Sequence, residues 1–402
     1  MNITIVGGGF GGVKTALELA KDLTNQITIV TDKPDFQYYP ALYSAATGHS
    51  HLESWVPLGE IFAGKKNIHV HIDAIVSIDP SKKELKGKSG ETYTYEKCVL
   101  ALGAVTTYFG IKGLDTYSYG IKSADEIKRL KHHLYTDIAE NHILDKHYVI
   151  VGAGPTGVEL AAALGSYLER LCEHYAIEKR TIHIDLVEAA PRVLPKMHEK
   201  TSKVVAKRLQ KLGVNVQTGQ AVESATADDI MVSGKPISSR TIIWTSGVAN
   251  HPFYKDNAQY FKLAPNGKVQ VDEYMLAADD VYVIGDNALT PFTGLAQTAL
   301  HDALFIAGNF KRIKHGQVLK KYKAVKPPVV VPVGNNWAVF EWHKVRMYGW
   351  LASLIRRAAD FIGYSDMLPL GQALGVWHAS TIMEDDYFTP DAENKKNNDL
   401  LG

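Results

Sequence analysis

Two stretches of this chain set a short β-branched apolar run directly before a helical apolar stripe, with a glycine turn between. The fuller one is HYVIVGAGPTGVELAAAL, His147 to Leu164. Tyr148 to Val151 predicts a buried parallel strand and the Ala- and Leu-rich segment a helix. The same order opens the chain, where Ile3 to Val6 predicts a strand and Val13, Ala16, Leu17 and Ala20 recur at helical spacing. Ile27 to Val30 closes a first βαβ unit, and Cys98 to Leu102 reads as a further buried strand ending at Gly103. Ser81 to Glu91, charged and carrying Gly87 and Gly90, predicts the turn of a small antiparallel insert. The fold class that follows is α/β.

The turns carry the chemistry. Gly152, Gly154 and Gly157, with Pro155 and Thr156 before the last, spell G-x-G-x-x-G, and so do Gly7, Gly9 and Gly12, with Phe10 and Gly11 between. Between a strand and a helix, this spacing lets backbone approach a pyrophosphate whose charge the free helix N–H groups and dipole end favour. The alternative for a single copy is an ordinary strand-to-helix turn. Two copies imply two dinucleotides, and a chain that binds two usually passes electrons from a nicotinamide to a tightly held flavin. Asp32, beside Lys33 at the end of the second strand, is the candidate acceptor for one adenosine ribose. Glu188, in IDLVEAAP, is the candidate for the other; a carboxylate there accepts from both ribose hydroxyls and repels a 2′-phosphate, so NADH is expected over NADPH. Arg192 nearby works against that preference. Glu159, two residues past Gly157, is expected in the first helical turn, where an acid suits the helix dipole.

Composition narrows the classes. A chain of 402 residues has room for two or three domains, and a net charge of +1 argues against nucleic acid as the main partner. Cys98 and Cys172 stand in unrelated contexts, which excludes a disulfide framework, a redox pair or a cysteine zinc site and suits a reducing cytoplasm. His69 and His71 alternate on one strand, but no third ligand is offered at a recognisable spacing, so no metal is expected. Because the first residues already read as a core strand, no signal peptide is expected. Pro34 to Gly48 is dense in aromatics (Phe36, Tyr38, Tyr39, Tyr43) and either covers the core or walls the flavin.

After about residue 310 the composition shifts. From Lys311 to Arg357 there are eleven Lys or Arg against one acid, Glu341, so the rest of the chain is net acidic. Met347, Trp350, Leu351, Leu354, Ile355, Ala358, Phe361 and Ile362 recur at helical spacing, with Arg356, Arg357 and Asp360 elsewhere on the wheel. A basic, Trp-bearing amphipathic helix too short to span a bilayer reads as an interfacial membrane anchor, the alternative being a surface helix packed on the main domains or on a second copy. Met367 to Trp377 is a second, weaker apolar stretch, and the polar residues 384–402 are expected to be a disordered tail.

The order GGGFGG, TYEKCVLALGA, GAGPTGVEL, DLVEAAPRVLP, TIIWTSGV and VYVIGDNA resembles the two-dinucleotide flavoproteins of disulfide-reductase type, without the disulfide. Within them the chain most resembles the type II NADH:quinone oxidoreductases, single-subunit, non-proton-pumping enzymes of the respiratory chain. The resemblance implies two Rossmann-like domains, one for FAD (1–110 and 255–312) and one for NADH (111–254), followed by a membrane-anchoring region (313–383). It puts Gly7, Gly9 and Gly12 at the FAD pyrophosphate and Ala101, Leu102 and Gly103 beside the flavin, with Leu102 where the family usually has Thr. It puts Gly285 and Asp286 at the ribityl chain, where the alternative for Asp286 is a helix N-cap, and Ser246 and Gly247 in the nicotinamide domain. Glu159 then lies near nicotinamide and flavin, orienting them or moving a proton. Ala296 and Gln297 match a helix end facing flavin and quinone, with His301 where the family has a second glutamine; both side chains can hydrogen-bond a quinone oxygen. The implied activity is hydride transfer from NADH to non-covalent FAD, then two electrons to a membrane quinone, at the cytoplasmic face of the cell membrane. A homodimer stays open. Alternatives are an NADH-dependent reductase of the same fold with a soluble, ferredoxin-like acceptor, and a flavin-binding redox sensor that does not turn over. A sulfide:quinone oxidoreductase is disfavoured, since that chemistry needs paired cysteines.

Overall fold

The computed structural model describes residues 1–178 and 181–384. Its first sheet runs in the order Leu276–Ala278, Val281–Val283, Lys97–Leu100, Asn2–Val6, Gln26–Thr31, Ile68–Ile72. All neighbours are parallel except the edge pair Leu276–Ala278 with Val281–Val283. The second sheet, Ser118–Tyr119, Thr241–Trp244, His147–Val151, His183–Glu188, Val214–Thr218, is parallel throughout. Parallel strands covered on both faces bury side chains on both, which is why Ile150, Val149 and Ile242 are fully buried and the central runs read as continuous rather than alternating.

Each unit carries a three-stranded antiparallel insert: Ile75–Asp79, Glu84–Gly87 and Thr92–Thr94 in the first, Val222–Ala225, Asp229–Val232 and Lys235–Ser238 in the second. The predicted turn at residues 81–91 lies within the first insert. The chain passes between units through Ala104–Thr106 and Val248–Asn250, which pair antiparallel. The expected strand at Cys98 to Leu102 therefore stops at Leu100, and after the Ala101–Gly103 turn a separate crossover strand begins.

The C-terminal region departs from expectation. Val329–Pro332, Ala338–Trp342 and Val345–Gly349 form an antiparallel sheet, and Val331, Val333 and Val339 join the core of the second unit with Val205 and Leu209. Met347, expected on the amphipathic helix, lies in the last of these strands; Gly349, at φ +97°, separates strand from helix. The helix is Trp350–Ser365, followed by Leu370–Ala379. Tyr364, Met367, Leu368 and Ala373 are buried in the core of the first unit, so this region ties the two units together rather than hanging beside them. The basic residues are also dispersed: Lys314 pairs with Asp22, Lys321 with Glu273, and Arg356 turns inward. Of the expected tail only Glu384 falls among the described residues, and it is held, accepting from Ser50 Oγ (2.6 Å) and the His51 amide (3.0 Å).

Candidate active site

Both glycine turns have the same internal geometry. A Cβ on Gly12 would lie 1.9 Å from the Gly7 carbonyl oxygen, and one on Gly157 1.8 Å from that of Gly152, so helix and strand can meet only at glycine. Gly7 and Gly152 have φ of +110° and +107°, the left-handed range that glycine alone occupies without strain. At the middle positions, Gly9 and Gly154, a Cβ would meet nothing within 4 Å. These two are the N-caps of the Phe10–Leu19 and Pro155–His174 helices, and neither helix has a side-chain cap there. Each helix thus begins in open space with uncapped N–H groups, which fits a pyrophosphate of FAD at one turn and of NADH at the other.

The acids around the turns are held from several elements. Asp286 follows the buried Val281–Val283 strand and accepts from the Gly294 amide (3.0 Å), not from a helix it could cap, which removes the N-cap alternative. Burial raises its pKa, against Lys268 and that amide. Gly285 is fixed from behind by Asp302, which is wholly buried and accepts from the Gly285 amide (2.9 Å) and the Tyr322 hydroxyl (2.6 Å). Ala101 lies against Gly7, and Asn287 donates to the carbonyl of Gly103 (2.7 Å). Asp32 and Lys33 are exposed just past the Gln26–Thr31 strand.

In the second unit Glu188 accepts from the amides of Ala153 (2.7 Å) and Ala190 (2.8 Å), one on each oxygen. Its carboxylate is thereby fixed beside the glycine turn with lone pairs left over. Arg192 donates to the Pro195 carbonyl (2.7 Å), so it is tied to its own loop. Ser246 packs on Gly152, and a Cβ on Gly247 would lie 2.1 Å from the Thr107 carbonyl oxygen.

Glu159 lies beyond the first turn of its helix and is 8% exposed, so it is no surface dipole acid. Burial pushes its carboxyl up to about 8, against the pull of Arg356. Arg356 Nη1 is 3.4 Å from Glu159, its Nε donates to Asp360 (2.8 Å) and its Nη2 to the Pro40 carbonyl (2.7 Å). Tyr38 donates to the other oxygen of Asp360 (3.0 Å), and Tyr364 to the Glu53 carbonyl (2.7 Å). Of the aromatic stretch, Phe36 and Tyr38 pack in the core against Phe10, which is the core-covering alternative, while Tyr39 stays half exposed.

Arg356, Asp360 and Asp302 are not among the residues expected here. The sequence signal for the first pair is an Arg and an Asp four apart in a mostly apolar helix. Of the Ala296–Lys314 helix, Gln297 is exposed and Ala296 half-buried at the N-terminal end. His301 Nε2 is 2.9 Å from the Lys323 carbonyl, so one ring nitrogen meets the returning chain.

Residues 1–303 match the pyridine nucleotide-disulphide oxidoreductase family, and the chain belongs to it. Curated relatives are more particular. The type II NADH:quinone oxidoreductase of Staphylococcus saprophyticus is 24% identical over 89% of this chain and 94% of its own. Ndh of Mycobacterium tuberculosis, of the same description, is 29% identical over 77% and 72%. Among solved structures, NDH2 from Plasmodium falciparum in complex with NADH superposes with a TM-score of 0.84 at 18% identity, over 94% of this chain and 97% of that one.

Proposed function

We propose that this chain is a type II NADH:quinone oxidoreductase acting from the membrane surface. The observation that carries this reading is the pair of uncapped, glycine-opened helix ends, each backed by a buried or fixed carboxylate, in a fold shared with relatives of that description. FAD held at the first turn would supply the redox chemistry, as acceptor of the hydride of NADH and donor of two electrons to quinone.

The chain's own residues bind, orient and supply a proton. Gly7, Gly9 and Gly12 hold the FAD pyrophosphate and Asp286 its ribityl hydroxyls; Gly152, Gly154 and Gly157 hold that of NADH, whose ribose hydroxyls donate to Glu188. Converting NADH, a proton and quinone to NAD⁺ and quinol takes one proton beyond the hydride. Glu159, buried and protonated up to about pH 8, is placed to hold it. Ala296 and Gln297 mark the quinone side.

A quinone with a long isoprenoid tail is delivered by lipid. No helix among the described residues is long and apolar enough to cross a membrane. Trp350, Leu351, Leu354 and Ile362 are 47–63% exposed on one helix, and Leu370 and Leu374 on the next. Exposed apolar side chains with Arg357 beside them suit insertion at an anionic headgroup boundary, which makes the protein peripheral, at the cytoplasmic face where NADH is found.

The test is direct. The purified protein should carry about one FAD per chain, bleach anaerobically with NADH and recover with a menaquinone or ubiquinone analogue. Leu354→Ser with Ile362→Ser should cut anionic-vesicle binding and slow turnover with long-tailed quinones more than with short-tailed ones. A folded protein that takes up no FAD sinks the reading. Recovery with a ferredoxin-like protein but no quinone would select the soluble-acceptor alternative.

A further inference from the structure

We propose that Arg356 makes the amphipathic helix a part of the active site: it is a positioning residue that fixes Glu159 in place and in charge for quinone reduction. The proposal rests on the function argued above.

The Trp350–Ser365 helix has two faces. Trp350, Leu351, Leu354 and Ile362 point to solvent, whereas Arg356, Asp360 and Tyr364 point into the protein. The guanidinium is a fork with five donors, and here it engages two segments distant in sequence, Glu159 of the second unit and the Pro40 carbonyl of the first, together with Asp360 of its own helix. Lysine has one nitrogen and cannot span those three sites at once.

The electrostatics run both ways. A cation buried this deeply needs carboxylate partners, and a buried carboxyl without a cation keeps its proton. The charged and titratable groups around Glu159 are Arg356 and Asp360 from the C-terminal helix and Tyr43 from the first unit; Tyr38 and Glu53 lie behind them. Arg356 is the single cation among them. It alone favours the ionised form of Glu159, and it rides on the helix whose other face is exposed and apolar. Displacing that helix would leave Glu159 locked in its protonated form, so the site is incomplete without it.

Infrared spectroscopy reads this without turnover. The carboxylic C=O band lost in Glu159→Gln identifies Glu159, and its disappearance with pH gives the titration. In Arg356→Gln the band should persist to a pH higher by at least about one unit, the usual effect of losing an opposite charge at this range. The alkaline limb of flavin reoxidation by a short-tailed quinone should move the same way. Arg356→Lys should fall between, and in the Glu159→Gln background Arg356→Gln should no longer move the limb. If Arg356→Gln does not fold, a band in Arg356→Lys that titrates as in the wild type overturns the proposal. So does an unshifted band in flavin-loaded Arg356→Gln, or a limb that Arg356→Gln still moves without Glu159. If the wild-type flavin is not reoxidised by quinone at all, the assigned function fails, while the infrared titration still decides the role of Arg356.

Discussion

Replacing Glu188 by serine tests the second nucleotide site through two separable costs. The carboxylate presents one oxygen to the Ala153 amide at 2.7 Å and the other to the Ala190 amide at 2.8 Å. A serine hydroxyl is too short to reach both. Ala153 is fully buried, so its amide would lose the acceptor that it has in the folded chain. That should destabilise the unit by about 1–3 kcal/mol, visible as a lower Tm whether or not nucleotide is present. The second cost falls on NADH alone: a charged acceptor for two ribose hydroxyls contributes about 1.5–3 kcal/mol, which is roughly 10- to 150-fold in kcat/KM. NADPH never gains that contribution, because its 2′-phosphate is repelled by the same carboxylate.

The predicted signature is therefore a fall in the NADH to NADPH ratio of kcat/KM by about tenfold or more, on top of a modest loss of stability. Steady-state kinetics with both nucleotides, on protein checked for full flavin content, measures it. Glu188→Gln sharpens the test, since its NH₂ would oppose one of the two amides, donor against donor, while the side-chain volume stays the same. An unchanged ratio in a folded, yellow Glu188→Ser variant would refute the assignment and move ribose recognition elsewhere. Arg192 is a poor substitute, being tied to the Pro195 carbonyl.

Two further perturbations address the first unit. Gly12→Ala puts a methyl 1.9 Å from the Gly7 carbonyl oxygen and should cost the fold as well as FAD, whereas Gly9→Ala meets no protein atom and should fold normally yet hold FAD weakly, read by absorbance and Tm side by side. Glu53, pushed up to about 8 by burial, binds its proton more tightly in the folded chain than in the unfolded one; stability is therefore fullest below pH 4.5 and declines towards pH 8. Glu53→Gln should flatten that decline, by on the order of 2–5 kcal/mol at its upper end, in denaturant titrations at pH 5 and pH 8.

What the sequence disclosed about this fold was whatever is written locally. A buried parallel strand, a glycine turn and a helix are contiguous, so both turns and the strands that feed them were legible, as was the carboxylate after Gly285. The Arg356 site was not, because its partners lie 197 and 316 positions away along the chain and no periodicity connects them. On a helical wheel Arg356 belongs to the basic polar side, because a residue's charge is visible there and the protein packed against it is not. Met347 fits the helical spacing but lies in the strand for a related reason: a strand running into a helix can imitate helical spacing for one turn. Gly349, immediately before Trp350, was the available warning. His301 matched a family position, but which atom its ring would meet depended on the returning segment at Lys323.

Counting charges in the buried cluster leads to a property that no single residue has. Glu159, Asp360 and Glu53 surround one cation, Arg356, which forms its shortest ion pair with Asp360 at 2.8 Å while Tyr38 donates to the same carboxylate. With that pair satisfied, ionising Glu159 or Glu53 adds net negative charge to a site that excludes water, and burial holds both near 8. At neutral pH the cluster is therefore close to charge balance with both carboxyls protonated. Giving up one proton leaves a negative charge that Arg356 can still share through its 3.4 Å contact with Glu159. Giving up a second would leave an unpaired carboxylate, since among the described residues Glu53 Oε1 has no hydrogen-bond partner. Under the proposed function this arrangement suits the release and recapture of one proton per cycle, the number that quinone reduction needs beyond the hydride, with Glu159 assigned the part of the member that moves and Glu53 that of the one that stays neutral.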